Sequence, residues 1–265
     1  MSKLPKIEEL LDAGVHYGHQ VKRWNPKMSQ YIFTQKSGIH VIDLEKTEAQ
    51  IEVAVDFIKN LASSGGTLLF LATKKQAAEI VNEEAQKAGA KYLTVRWLGG
   101  LLTNFEAVRK TIDKFDHIEE KLKEKENYTK REQLLMQKEL TKLERVLGGI
   151  RDLNKLPDAM FIVDARKEDN AVREANKMGV PIVALVDTNG DPTKVDYPIA
   201  ANDDSIKSIM LLVTTIAQAY AEGRKIWEKK EAKQAKSMEK EAEGDEAVGN
   251  RISEYVNESV DRKRN

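Results

Sequence analysis

The chain has 265 residues, enough for one large domain or two small ones, and 41% of them are hydrophobic, which is sufficient for a substantial core. Its 43 basic and 43 acidic residues balance, so net charge indicates no class of partner, and any surface for a charged partner must come from local clusters of charge. The absence of cysteine excludes disulfides, thiolate metal sites and cysteine nucleophiles.

The start of the chain and its apolar runs predict a protein that does not enter membranes. Glu8 and Glu9 stand where a signal peptide would have its apolar stretch. No uninterrupted apolar run approaches the length that spans a bilayer. We therefore expect a cytoplasmic protein with no membrane among its partners.

Short apolar runs near the start and in the last third of the chain predict a parallel sheet. Three of them, Thr67–Ala72, Ala159–Asp164 and Pro181–Asp187, are almost continuously apolar and rich in Val, Ile and Leu. Runs of this kind are typical of strands that are buried on both faces. Lys91–Val95 and Tyr197–Ala200 are weaker strand candidates.

Amphipathic segments alternate with these strands. They cover Thr47–Ala62, Lys75–Ala88 and Asp169–Met178, and each ends near Gly or Ser, where a helix C-terminus is expected. Alternating strands and helices predict an α/β fold in layers, with right-handed crossovers. We assign residues 1–105 and 148–227 to this α/β domain.

Residues 106–147 differ, because they carry almost no strand pattern and many charges of both signs. Their apolar residues follow the spacing of two helical seams: Val108, Ile112, Phe115 and Leu122, then Met136, Leu140, Leu143 and Leu147. A polar break around Asn127 separates the seams, and Gly148 follows the second. This pattern predicts an inserted antiparallel coiled-coil hairpin that the α/β domain can fold without. Residues 228–265 form a charged tail, which we expect to be partly helical or disordered.

The ends of the predicted strands lack the glycine-rich turn of nucleotide-binding sheets. After residues 67–72 the chain continues with Thr73, Lys74, Lys75 and Gln76, none of which lets a phosphate approach the backbone closely. An α/β nucleotide-binding enzyme therefore remains only an alternative hypothesis. We expect no cofactor and no small-molecule substrate.

Acidic residues close to the strand ends allow a second alternative, a receiver-like signalling domain. Asp164 and Asp187 end two predicted strands, and with Asp203 and Asp204 they could gather a divalent cation. Aspartates in such positions more often cap turns and pair with nearby donors. We therefore predict that these aspartates form hydrogen-bonded turns and salt bridges and bind no metal. Because no nucleophile or acid–base pair stands out, we also predict that the protein is not an enzyme.

The segment of residues 19–28 is a candidate for RNA contacts. It combines cations with an aromatic ring and an amide, namely Lys22, Arg23, Trp24, Asn25 and Lys27, and it shows neither helical nor strand periodicity. Lys and Arg can contact phosphates while Trp stacks on a base. A basic loop whose Trp fills the core is the alternative.

A second candidate lies just before the predicted hairpin. It comprises Arg96, Trp97, Thr103 and Asn104, and Arg109 follows on the first helix of the hairpin. Thr103 or Asn104 can cap that helix, and free amides at a helix N-terminus can bind a phosphate.

Taken together, these segments resemble a known family. Motifs in the same order and spacing run over residues 7–225, at 10–20, 23–28, 39–44, 97–105, 147–150, 156–159, 186–189 and 202–204. By these motifs the chain is similar to the family of bacterial-type small-subunit ribosomal protein two. One departure is that Ala200 and Ala201 precede Asn202, where the family usually has Pro-Gly.

The resemblance implies both fold and function. It implies a flavodoxin-like three-layer αβα domain with a parallel sheet, plus the coiled-coil hairpin. It also implies a structural constituent of the small ribosomal subunit that binds small-subunit rRNA at the head–body junction on the solvent side. Such a protein supports assembly, mRNA recruitment and translation. Its implied partners are neighbouring ribosomal proteins and, where it is present, the large mRNA-recruiting protein "S-one".

Overall fold

A computed structural model of the protein describes residues 4–124 and 127–261, with side chains as far as residue 233. Helix α1 (Ile7–Asp12) comes first, followed by a small antiparallel sheet of β1 (Tyr17–Gln20), β2 (Ile32–Lys36) and β3 (Ile39–Ile42) in the order β1-β3-β2. The sequence did not predict this sheet. Its strands are short and β2 is almost entirely exposed, so no alternation of apolar residues marks it.

The segment of residues 19–28 is more ordered than its lack of periodicity suggested. Its first two residues belong to β1, and two 3₁₀ turns, Val21–Arg23 and Pro26–Tyr31, connect β1 to β2. The segment shows no periodicity in the sequence because 3₁₀ turns of this length are too short to produce one.

The larger part of the chain forms the α/β domain and the hairpin. In chain order its elements are α2 (Leu44–Ser63), β4 (Leu68–Leu71), α3 (Lys75–Ala88), β5 (Lys91–Leu93), α4 (Phe105–Lys123), α5 (Lys130–Leu147), β6 (Ala159–Val163), α6 (Asp169–Met178), β7 (Ile182–Val186), β8 (Tyr197–Ala200) and α7 (Ile206–Asp261). Strands β4 to β8 form one parallel sheet in the order β5-β4-β6-β7-β8. This is the flavodoxin-like order, so the predicted fold class is confirmed.

Both faces of the parallel sheet are covered by helices, which accounts for the continuous apolar strands. In β4, Leu68 and Phe70 pack into the cluster formed by α2, α3 and α7, whereas Leu69 and Leu71 face α6 and the base of the hairpin. Successive side chains of a strand point to opposite faces, so a strand that is covered twice must be apolar throughout.

The last helix packs closely along α2, and a glycine permits the close approach. A Cβ atom at Gly223 would lie 2.5 Å from Cβ of Ala62 and 2.5 Å from the carbonyl oxygen of Lys59. The tail assigned to residues 228–265 continues α7 as far as Asp261, and residues 262–265 lie outside the described part. None of the described helices is long and apolar enough to cross a membrane.

Helices α4 and α5 form the predicted hairpin, but its base belongs to the core of the domain. Val108, Ile112 and Leu147 are buried in the same cluster as β6 and α6. Further out, the ammonium of Lys114 on α4 lies 2.5 Å from a carboxylate oxygen of Glu139 on α5. The boundary at residues 106 and 147 therefore cuts through the core, and only the outer part projects from it.

We therefore expect two deletions to behave differently. Replacing residues 120–133 by a short glycine linker should keep a cooperative unfolding transition, because none of the described residues in this range is buried in the core. Deleting residues 106–147 should lower the free energy of unfolding by several kcal/mol, since each fully buried aliphatic side chain contributes roughly 1.5–3 kcal/mol. Urea unfolding followed by circular dichroism measures both. If the variant with the shorter deletion unfolded without a cooperative transition, the outer hairpin would also be part of the core.

Candidate nucleic-acid interface

The basic turn, by which we mean residues 21–25, is clamped onto the carboxyl end of the parallel sheet. A Cβ atom at Gly18 would lie 2.5 Å from Cγ2 of Thr188, the second residue after β7, so β1 sits directly against this end of the sheet. The backbone N–H of His19 donates to Oγ1 of Thr188 at 2.8 Å, and that of Asn25 donates to the Thr188 carbonyl at 2.8 Å. The turn between these two bonds is held at both ends.

Two cations of the basic turn point to solvent. Lys22 and Arg23 are exposed, and neither side chain has a hydrogen bond or ion pair with another described residue. Trp24 is 37% exposed and its ring centroid lies 5.2 Å from that of His40. The ring is thus supported on one side and remains partly open to solvent, instead of filling the core.

The other two residues predicted in this segment are used within the protein. Oδ1 of Asn25 accepts a hydrogen bond from the backbone N–H of Lys27 at 3.1 Å and so caps the second 3₁₀ turn. The Lys27 ammonium lies 2.7 Å from a carboxylate oxygen of Asp191 and 2.9 Å from Oγ1 of Thr193. A phosphate that bound Lys27 would have to compete with Asp191.

The second predicted stretch wraps around the carboxylate of Glu174 on α6. The indole N–H of Trp97 and the backbone N–H of Gly100 both donate to it at 2.9 Å. The amides of Leu102 and Thr103 donate at 3.2 and 3.3 Å, and the Thr103 hydroxyl at 3.1 Å. The anion that these groups bind is therefore a side chain of the protein itself.

Electrostatics agree with this geometry. Burial by itself would raise the pKa of Glu174, but hydrogen bonds from Trp97, Gly100, Thr103 and Leu102 outweigh it and lower the pKa. The carboxylate is thus ionised at neutral pH and fixes the conformation of the loop before α4.

The remaining residues of this stretch differ in availability. Asn104 precedes α4 without a side-chain capping bond, and Arg96 is exposed without a partner among the described side chains. Arg109 is occupied: its guanidinium lies 3.0 Å from Asp113 and donates to Oδ1 of Asn154 at 2.7 Å. Arg109 therefore connects the hairpin to the segment before β6.

The aspartates near the strand ends converge on an unpredicted partner, the side chain of Lys74. The Lys74 ammonium, just before α3, lies 2.7 Å from Asp164, 2.6 Å from Asp203 and 2.8 Å from Asp204. His19 completes the group, with Nδ1 lying 3.0 Å from Asp187. The cation that offsets these acids belongs to the protein.

Burial and crowding shift several pKa values in this cluster. Burial, with the charges of Asp164 and Asp187, raises the pKa of Asp203 to about 7 against the attraction of Lys74. Burial would lower the pKa of Lys74, but the carboxylates around it outweigh that effect and raise it, so the ammonium stays charged. The hydrogen bond to Asp187 raises the pKa of His19, although burial opposes it.

Lys74, His19 and Glu174 were therefore not predicted from the sequence as members of these sites. Lys74 follows β4 directly, and the carboxyl ends of parallel strands meet, so its position could have been inferred from the topology. Arg166 and Lys167 stand closer to Asp164 in the sequence, yet only the backbone N–H of Lys167 reaches that carboxylate, at 2.9 Å. Among residues 4–124 and 127–233, no group of three or more His, Asp or Glu side chains has a metal-binding arrangement.

Comparison with known proteins gives similarity over most of the chain. A family model described as Ribosomal protein S2 matches residues 10–223. A protein of Bdellovibrio bacteriovorus named small ribosomal subunit protein uS2 is 49% identical over 227 residues, which cover 84% of this chain and 72% of the relative. A protein of Corynebacterium urealyticum with the same name is 49% identical over 233 residues, 87% of each chain.

Proposed function

The chain belongs to the ribosomal protein S2 family, and we propose that it binds small-subunit rRNA through the basic turn. It is a structural protein of the small ribosomal subunit that serves translation, and not an enzyme. The proposed site is supported by two exposed cations, Lys22 and Arg23, that have no partner among the described residues. They lie beside the partly exposed Trp24, on a turn that is held at both ends by hydrogen bonds.

A clamped turn suits phosphate binding for two reasons. Its backbone loses little conformational freedom when RNA binds, so less of the attraction is offset by ordering. Its cations have no carboxylate partner in the described part of the chain to give up, whereas Lys27 would have to leave Asp191. We assign Lys22 and Arg23 to phosphates and Trp24 to stacking, while Asn25 and Lys27 support the turn.

The family also suggests the position and the partners. We propose that the turn faces rRNA at the head–body junction on the solvent side, in ribosomes of the cytoplasm. There the protein would support subunit assembly and mRNA recruitment, the latter with the large mRNA-recruiting protein "S-one" where that protein is present. The names of the two relatives support the subunit, and the finer position rests on the resemblance described above.

The Lys22→Ala/Arg23→Ala double variant tests the site. Each lost phosphate contact should reduce the slope of log K against log salt by roughly one unit, so we expect a slope about two units shallower than wild type. Filter binding to small-subunit rRNA at several salt concentrations measures it. The matched control is Lys177→Ala/Lys225→Ala, which removes two exposed lysines elsewhere and should change the slope less. Equal slopes in the two double variants would exclude the basic turn as a phosphate site.

A further inference from the structure

A cavity of about 490 Å³ lies between the loop that follows β5 and the base of the hairpin. We propose that it binds one unstacked nucleotide of the small-subunit rRNA. The inference rests on the proposed rRNA binding, and it adds a second, base-binding site to the phosphate contacts of the basic turn.

The floor and walls of the cavity are apolar and come from three elements. Trp97 and Leu98 of the loop face Val108 on α4 and Leu143 and Val146 on α5. A flat base can bury both faces against such surfaces, and stacking on an aromatic ring is its usual contact in single-stranded RNA. The volume falls within the roughly 300–1,000 Å³ of small-ligand pockets, so a nucleoside fits.

The rim carries two positive charges and no negative one. Arg96 and Lys142 line the cavity, both are exposed, and neither has an ion pair with another described residue. None of the side chains that line it is acidic. By contrast, each of four other cavities on the described surface is lined by at least one carboxylate. The charge pattern thus favours a polyanion such as RNA over an apolar peptide segment.

The cavity is also preorganised. The Trp97 indole N–H is held 2.9 Å from Glu174, which fixes the orientation of the ring. Arg109 ties α4 to Asn154, so the helical wall is anchored as well. The side chain of Asn104 lines the rim and caps nothing, which leaves its amide able to donate to and accept from the edge of a base. A base that entered this cavity would need little rearrangement of the protein.

A variant that fills the cavity tests the proposal. Ala107 lines it but is exposed on α4, so Ala107→Trp blocks the space without disturbing buried packing. We expect rRNA affinity to fall by about 10- to 100-fold, the worth of one stacked base. We also expect base-specific chemical probes to show one unpaired rRNA nucleotide that the wild type protects and the variant leaves reactive. Thr141→Trp is the control, because residue 141 is exposed on α5 and does not line the cavity.

A second variant keeps the test valid if Ala107→Trp folds poorly. Arg96→Ala/Lys142→Ala leaves the apolar floor intact and should weaken protection of the same nucleotide. Unchanged affinity and protections in both variants would overturn the inference, while the salt slope of the basic turn would still support the proposed function. A photocrosslinker at position 107 that captured a ribosomal protein instead of rRNA would also overturn it. Absence of any rRNA binding by the wild type would overturn both proposals.

Discussion

Lys74→Met should lower the free energy of unfolding at pH 8 by about 3–5 kcal/mol, the usual cost of removing one partner from a buried ion pair. The Lys74 side chain is only 12% exposed and that of Asp203 only 2%. Without the ammonium, Asp164 and Asp203 would face each other with little water to screen them. Met retains most of the volume of Lys, so the loss reflects charge more than packing.

The sign of the pH dependence follows from the raised pKa of Asp203. The folded protein takes up a proton near pH 7 that the unfolded chain binds only near its ordinary pKa of 3.8. Stability must therefore fall as the pH rises through about 7. The raised pKa values of His19 and Glu168 act in the same direction, whereas the lowered pKa of His16 opposes them below its ordinary value. We expect wild type to be more stable at pH 6.5 than at pH 8. The free energy of unfolding that Lys74→Met loses relative to wild type should be larger at pH 8 than at pH 6.5.

Two further variants separate charge from simple loss of a side chain. Lys75→Met removes the neighbouring exposed lysine and should cost less than about 0.5 kcal/mol, as for most surface substitutions. Adding Asp203→Asn to Lys74→Met removes one of the repelling charges and should restore part of the stability at pH 8. Urea unfolding at both pH values measures all four proteins. If the double variant were no more stable than Lys74→Met, buried charge would not be the cause.

The central sheet could be predicted from the sequence because its main strands are marked by their own apolar composition. Strands β4, β6 and β7 are covered on both faces, so each is a continuous apolar run that local inspection detects. The small sheet could not be predicted in this way, since the burial of β2 follows no alternation. The two helices of the hairpin were detected through their seams, and Ile118, which the predicted seam omitted, is also buried.

The candidate site was harder to predict, because its groups meet across long stretches of chain. Lys74 reaches Asp203 over 129 residues, and Glu174 reaches Trp97 over 77. The sequence neighbours of Asp164 supply only the backbone N–H of Lys167, whereas the charged partner of this carboxylate is the distant Lys74. The stretch before α4 suggested a phosphate where the carboxylate of Glu174 lies. Lys22 and Arg23 are exposed and have no partner in the described part of the fold, and their contact with RNA stays a prediction.

Glu174→Ala should loosen the loop before α4 and reduce the free energy of unfolding by about 2–4 kcal/mol, since an unsatisfied buried donor costs about 1–3 kcal/mol. The change leaves three backbone amides, an indole N–H and a hydroxyl without their acceptor. Water can replace part of that acceptor at the exposed Thr103, which keeps the loss below the sum of five bonds. The amides of Gly100, Leu102 and Thr103 should exchange with deuterium at least ten times faster than in wild type.

Variants of Glu174 distinguish a structural role of the loop before α4 from the phosphate site that the sequence suggested there. Glu174→Gln keeps the shape and one acceptor oxygen, so it should fall between wild type and Glu174→Ala in both stability and exchange. Glu79→Ala, which removes an exposed glutamate from α3, should alter neither. Because the Trp97 ring depends on Glu174 for its orientation, Glu174→Ala should also weaken protection of the nucleotide assigned to the neighbouring cavity. Wild-type exchange at Gly100 and Leu102 in Glu174→Ala would mean that the loop holds its conformation without the carboxylate, and that the cavity is not organised through it.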